Sequence, residues 1–247
     1  MEMKFIDINC DVGEGIGNEE DLFPFISSCN IACGGHAGDE KIMNEIVVLA
    51  KKHQVKIGAH PSYPDKDNFG RVSLSMPNEA LKSSIQEQVI ALVSILETQG
   101  MDLHHIKAHG ALYNDIAKDR DLASVFLEAV EQFKKGVYLY VPYGSVLEEE
   151  ALKRNFKTMV EAFGDRNYNP DLTLVSRNSP NAVIHDPKEV LGHITKMVKN
   201  QKVKTSQGIE QNINAETYCI HGDTPSALQI LAYLSEELPE QQIYLKK

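Results

Sequence analysis

Apolar and polar residues roughly alternate over Lys4–Asn9, a two-residue period that predicts a first β-strand. Short apolar runs recur at Ser27–Ala32, Val55–Ala59, His105–Lys107, Val137–Val141, Thr158–Ala162 and Glu216–Ile220, and each reads as a further strand. Between them the period lengthens to that of a helix. Ile42, Met43, Ile46, Val47 and Ala50 share one helical face, and Asp39 stands just before them as a cap. Leu81, Ile85, Val89, Leu92 and Leu96 form a stripe along a helix from Asn78 to Gln99, which Gly100 ends. Leu122, Val125, Phe126, Ala129, Val130 and Phe133 mark the next helix, and another lies around Ser145–Arg154. Asp186-Pro187 reads as a cap and first-turn proline for a helix to about Val198. Ala227, Leu231, Leu234 and Leu238 face inward from a last helix, capped by Asp223 or Thr224. Lys199–Asn214 is polar and reads as a mobile connection.

Strand then helix, repeated about seven times, predicts a parallel sheet. No shift in composition marks a boundary, so residues 1–247 read as a single domain. The strand ends carry the chemistry. Asp11 and Glu14 follow the first strand, His36 and Asp39 the second, and His60 the third. His109 follows the fourth, beside Lys107, Tyr113 and Asn114. Asp165 and Arg166 follow the sixth, and His221 and Asp223 the last. Functional groups after many different strands favour a closed barrel, whose loops meet at one mouth. The Ser62–Pro77 loop, with Arg71, has the length of a binding loop or lid.

Composition narrows the classes. The chain has 247 residues, 42% of them hydrophobic, enough for one sizeable core. A net charge of -10 argues against a nucleic-acid groove or an anionic membrane surface. No basic-then-apolar leader opens the chain, and no stretch approaches the ~20 apolar residues of a membrane span. With only Cys10, Cys29, Cys33 and Cys219, this predicts reduced thiols and a cytoplasmic location. Cys29 and Cys33 lack a second pair at structural-zinc spacing and read as buried thiols. The G-x-G-x-G after the first strand does not have dinucleotide-binding spacing. H-E-x-x-H, G-x-S-x-G and Walker A sequences are all absent.

Each candidate has a bland reading. Asp39 and Asp223 suit helix caps, Asp165 and Arg166 a loop ion pair, and a histidine beside glycine a loop hydrogen bond. The concentration of His36, His60, His109 and His221 at strand ends weighs against that reading. Such a cluster suits two chemistries. Asp11, His36 and His60 are the candidate ligands of a divalent metal that activates water. Alternatively the groups act as metal-free acid and base, with Lys107 or Arg71 holding an anionic substrate.

Longer motifs carry a resemblance. They are Asp7-x-Asn9-Cys10-Asp11-x-Gly13-Glu14, Asn30-Ile31-Ala32-Cys33-Gly34-x-His36-Ala37-Gly38-Asp39 and Gly58-Ala59-His60-Pro61. Further on stand Phe69-Gly70-Arg71, Lys107-x-His109-Gly110-Ala111-Leu112-Tyr113-Asn114, Phe163-x-Asp165-Arg166-x-Tyr168 and His221-Gly222-Asp223. By these the chain resembles the LamB/YcsF family over nearly its whole length. The resemblance implies a distorted seven-stranded β/α (TIM-like) barrel, similar to the glycoside hydrolase and deacetylase superfamily. It implies the A component of an ATP-dependent 5-oxoprolinase, which with B and C subunits opens 5-oxoproline to glutamate. ATP is then a co-substrate, and the missing Walker A sequence points to partner subunits for much of its binding. Asp11 and His109 are expected to share acid–base work, with His36 and His60 orienting or binding the leaving oxygen. Glu14, Asp39, Arg71, Lys107, Tyr113, Asn114, Asp165, Arg166, His221 and Asp223 are expected to bind substrate. A stand-alone metal-dependent deacetylase or amidohydrolase, and a non-catalytic lactam- or nucleotide-binding subunit, are the rival readings. The chain departs from the family pattern at Gly35 (usually phenylalanine), Ala108 (usually proline), Gly164 (usually alanine), Asn68 and Val72.

Overall fold

The computed structural model describes residues 3–177 and 179–246. Its strands are β1 (Lys4–Val12), β2 (Ser28–Ala32), β3 (Lys56–His60), β4 (His105–Ile106) and β5 (Tyr138–Pro142). They continue with β6 (Lys157–Phe163), β7 (Lys202–Lys204), β8 (Glu210–Asn212), β9 (Thr217–Cys219) and β10 (Ile243–Leu245). The parallel order β1-β2-β3-β4-β5-β6-β9 closes on itself, because β9 pairs with β1 as well as β6. The result is a closed seven-stranded barrel wrapped by helices. Its distortion starts in β1, which is shared in succession. Lys4–Ile6 pair with β10, Asp7–Asn9 with β9, and Asn9–Val12 with β2.

The alternation in β1 has an unusual sense. Ile6, Ile8, Cys10 and Val12 are buried in the hydrophobic cluster shared with the helices. The polar set Asp7, Asn9 and Asp11 points into the barrel. Asp7 accepts from Ser28 on β2 and Thr217 on β9, both at 2.7 Å, and a residue reaching two neighbouring strands in this way lies inside the ring. Asn9 likewise reaches Thr217, Glu161 and Asn30. The barrel interior is therefore a hydrogen-bonded polar column rather than layers of branched aliphatics.

The helices follow their sequence signals. Asp39 caps Glu40–His53 by accepting from the Ile42 amide at 2.8 Å. Asp119 caps Arg120–Val130, Ser145 caps Val146–Lys153 and Asp186 caps Pro187–Asn200. The Asn78–Gln99 helix ends on left-handed Gly100. Among the described residues, no helix is long and apolar enough to cross a membrane. All four cysteines are free and buried.

Three expectations need correction. The Lys199–Asn214 stretch is not a plain connection: it holds the antiparallel hairpin β7–β8, pinned by buried Val203 and Ile213. Neither Asp223 nor Thr224 caps the last helix, Ala227–Glu240, whose cap position is Ser226. β1 runs to Val12, so Asp11 sits on a strand and not in the loop after it.

Candidate active site

Asp11, Glu14, His60, Lys107, His109 and His221 line one cavity of about 550 Å³. Tyr113, Phe163, Arg166, Asp223, Arg71 and Arg177 line it too. Chain topology explains the convergence. β1, β3, β4, β6 and β9 are parallel, so their C-terminal ends, and the loops after them, share one mouth.

At the floor, three rings and two carboxylates pack together. His60 Nδ1 is 2.8 Å from the Lys107 carbonyl, and His109 Nε2 is 3.0 Å from the Phe69 carbonyl. A carbonyl only accepts, so each of these nitrogens carries its proton. The inner nitrogens, His60 Nε2 and His109 Nδ1, are therefore bare in the neutral rings, yet they lie 3.0 Å apart. Glu14 Oε1 is 3.3 Å from His109 Nδ1, and Asp11 Oδ1 is 3.4 Å from His60 Nε2. His36 Nε2 meets Glu14 Oε1 at 2.9 Å, and its ring stacks on His109 with centroids 3.6 Å apart. Burial, together with the neighbouring rings His60 and His36, holds the His109 pKa well below its ordinary value. Burial also lowers His36, against the opposing pull of Glu14. Glu14, His36, His60 and His109 hold their donor atoms within 4.8 Å of one another, as a metal site requires.

Beside this floor sits a buried ion cluster. Lys107 Nζ lies 2.8 Å from Glu161, 3.1 Å from Asp11, 3.2 Å from Asn9 Oδ1 and 3.3 Å from Cys219 Sγ. Burial alone would lower the Lys107 pKa, but Asp11, Cys219 and Glu161 outweigh it and hold the ammonium well above its usual range. Burial would raise Asp11, but His60 and Lys107 prevail and hold the carboxyl well below the usual range. Asp11, Cys219 and His221 also stand close enough to share a cation. The Lys107 ammonium already touches the first two.

The rim is cationic and movable. Arg71 Nη2 and Arg177 Nη1 both donate to Asp223 Oδ2, at 2.7 and 3.3 Å. Arg71 comes from the long loop after β3, which folds over the histidines rather than away from them. Phe69 of that loop packs edge-on against His36 and His109, and Ala111 donates to the Gly70 carbonyl at 2.9 Å. Gly110 is needed at this contact, because its φ is +56° and a Cβ would lie 2.5 Å from the Gly70 carbonyl oxygen.

Residues 6–247 match the sequence model of the LamB/YcsF family. The 5-oxoprolinase A component of Shouchella clausii is 43% identical over 99% of this chain and 98% of its own length. The chain belongs to the LamB/YcsF family. A lactam utilization protein from Thermus thermophilus superposes with a TM-score of 0.91 at 36% identity, covering 98% of this chain and 99% of that one. A GH18 chitinase from Pseudoalteromonas aurantia has a TM-score of 0.50 at 8% identity, over 92% of this chain and 98% of that one, and shares the barrel fold alone.

Against the family motifs, the structure sorts the expected site residues. Asp11, Glu14, His60, Arg71, Lys107, His109, Tyr113, Asn114, Arg166, His221 and Asp223 all line the cavity. His36 lies just behind it, against Glu14. Asp39 is not brought to the cavity: its side chain caps a helix and is exposed. Asp165 sits behind His221 and accepts from its backbone amide and ring Nδ1, both at 2.9 Å. Arg166 donates to the Val175 and Ala182 carbonyls and so braces the loop that carries Arg177. Tyr113 donates to Glu161 at 2.7 Å. Lys107 is already surrounded by carboxylates, which leaves the more exposed Arg71 and Arg177 as the accessible cations.

Sequence reasoning missed Glu161, Arg177, Asn9, Asn30 and His105. Glu161 had a readable signal, an acidic residue in the middle of an apolar strand. The Gly35 departure also has a physical setting. A Cβ there would lie 2.3 Å from Gln88 Oε1 and 2.4 Å from Ser62 Oγ. In this chain the Gln88 amide fills that space, bonding Ser62 N and Ser62 O behind the active-site loop.

Proposed function

We infer that this chain is the A component of an ATP-dependent 5-oxoprolinase. It acts with B and C subunits to convert 5-oxoproline, with ATP and water, to glutamate, ADP and phosphate. The observation that carries this reading is end-to-end identity of 43% with a protein of that name, in a chain whose family motifs converge on one cavity. The cytoplasm, where ATP is available, is the proposed compartment.

The chemistry suits the two ends of the cavity. A five-membered lactam is a poor electrophile because amide resonance protects its carbonyl. Phosphorylation of the carbonyl oxygen makes that carbon open to water, and collapse of the adduct breaks the C–N bond. Asp11 with the His60–His109 pair forms the water-activating end, where bare nitrogens and a carboxylate accept protons. Arg71 and Arg177 form the anion end. The substrate carboxylate or the phosphoryl group displaces Asp223 and takes two guanidinium partners. Partner subunits supply much of the nucleotide binding.

Reconstitution tests the proposal. The chain mixed with B and C subunits is expected to release glutamate from 5-oxoproline only when ATP and all three proteins are present. Glutamate release that continues without this chain would refute the assignment, as would release by this chain alone without ATP.

A further inference from the structure

The floor of the cavity presents an electrostatic problem. Three acceptors, Glu14 Oε1, His60 Nε2 and His109 Nδ1, face one another, and the outer hydrogen bonds of both rings fix the inner nitrogens as lone pairs. No donor among the described residues separates His109 Nδ1 from its two neighbours at 3.0 and 3.3 Å. Such an arrangement repels itself unless a positive centre sits among the three.

We propose that Glu14, His60 and His109 bind a divalent transition cation of the zinc class, with an open coordination position facing the cavity. Four donors about 2.1 Å from a tetrahedral centre lie about 3.4 Å from each other, close to the separations found here. Two imidazoles and one carboxylate suit zinc or its neighbours better than magnesium or calcium. The supporting groups are in place as well. His60 and His109 each donate the outer N–H to a backbone carbonyl, the arrangement that orients metal-bound imidazoles. His36 donates Nε2–H to the Glu14 oxygen and lies outside the cavity lining, so it orients Glu14 rather than ligating. Asp11 is not a ligand, because its Oδ1 is already taken by Asn30 at 2.8 Å and Lys107 at 3.1 Å. It stands next to the open position, as a carboxylate facing the attacking water. The ligand set therefore differs from Asp11, His36 and His60, the set the sequence suggested. The second cluster, Asp11, Cys219 and His221, is excluded by the ammonium of Lys107 lying against Asp11 and Cys219.

This inference stands apart from the lactam reading, since it concerns the chain alone. The full-length chain, stripped with a chelator and equilibrated with zinc sulfate, is desalted and assayed for metal by mass spectrometry. Affinity is measured by titration calorimetry and folding by circular dichroism. About one zinc per folded chain is expected, with cobalt(II) giving the visible absorption of a low-coordinate site. His60→Ala and Glu14→Gln are expected to lose the metal. His36→Gln should keep it with affinity weakened about 10–100-fold, and Cys219→Ser should bind like wild type. A folded wild-type chain that retains less than about one tenth of an equivalent would overturn the proposal. So would full retention by His60→Ala, or loss in Cys219→Ser alone, which would move the site to the other cluster.

Discussion

Replacing Lys107 with methionine separates two roles for this residue. The sequence suggests a cation that holds substrate. The structure surrounds Nζ with Glu161 at 2.8 Å and Asp11 at 3.1 Å, with the side chain only 3% exposed. At an effective dielectric of about 20, each such pair is worth about 5–6 kcal/mol of Coulomb attraction, most of it offset by desolvation. Methionine nearly matches the shape but strands two buried carboxylates. The expected destabilisation is about 3–5 kcal/mol, read as a fall in the urea midpoint with unchanged slope. Glu161→Gln removes one of the stranded charges while keeping an acceptor for Tyr113 and Asn9. The double variant should therefore be more stable than the two single losses summed, by at least about 1 kcal/mol. A Lys107→Met chain within about 1 kcal/mol of wild type, with only its substrate KM raised, would refute the buried-cluster account and restore Lys107 as a substrate cation.

Further consequences follow from other parts of the structure. Arg71→Met and Arg177→Met should each raise KM for the anionic substrate about tenfold in the reconstituted complex, with folding unchanged, because each removes one charge-assisted contact at the rim. Burial pushes the His193 pKa down to about 4, and its Nε2 has no partner among the described residues. The unfolded chain binds that proton near pH 6.5 and the folded chain does not, so stability falls as pH drops from 6.5 to about 4. The loss is no more than about 3 kcal/mol, and in urea titrations at several pH values His193→Asn should flatten that slope. Gly35→Ala should cost about 1–3 kcal/mol by displacing Gln88 from Ser62, and adding Gln88→Ala should recover part of it; a neutral Gly35→Ala in urea melts would contradict the packing argument.

Much of the barrel is legible in the periodicity, because its apolar strand positions and helix stripes face the same helix–sheet core. The strands read from it lie within a few residues of their true ends. What periodicity does not reveal is where the polar members of a strand point. Asp7, Asn9 and Asp11 alternate as a solvent-facing set would, yet closure of the ring turns them inward. Glu161 escapes notice for a related reason: its partners Lys107, Asn9 and Tyr113 are far away in sequence and meet it only across the closed barrel. The β7–β8 hairpin and β10 are three-residue strands, too short to show a period. The strand-end histidines are legible because loop glycines and alanines flank them. Which nitrogen each presents depends on carbonyls from distant segments, Lys107 for His60 and Phe69 for His109.

The central claim is that the floor of this cavity opens the lactam ring. The most direct measurement replaces Asp11 with asparagine and, separately, His109 with alanine, and assays ATP-dependent glutamate release from 5-oxoproline with wild-type B and C subunits. Each variant is first shown by circular dichroism to be folded and by co-purification to join its partners. The account predicts loss of at least about 100-fold in glutamate release for both, the scale of a lost acid–base or water-activating group. Release within a fewfold of wild type from either folded, assembled variant would contradict it.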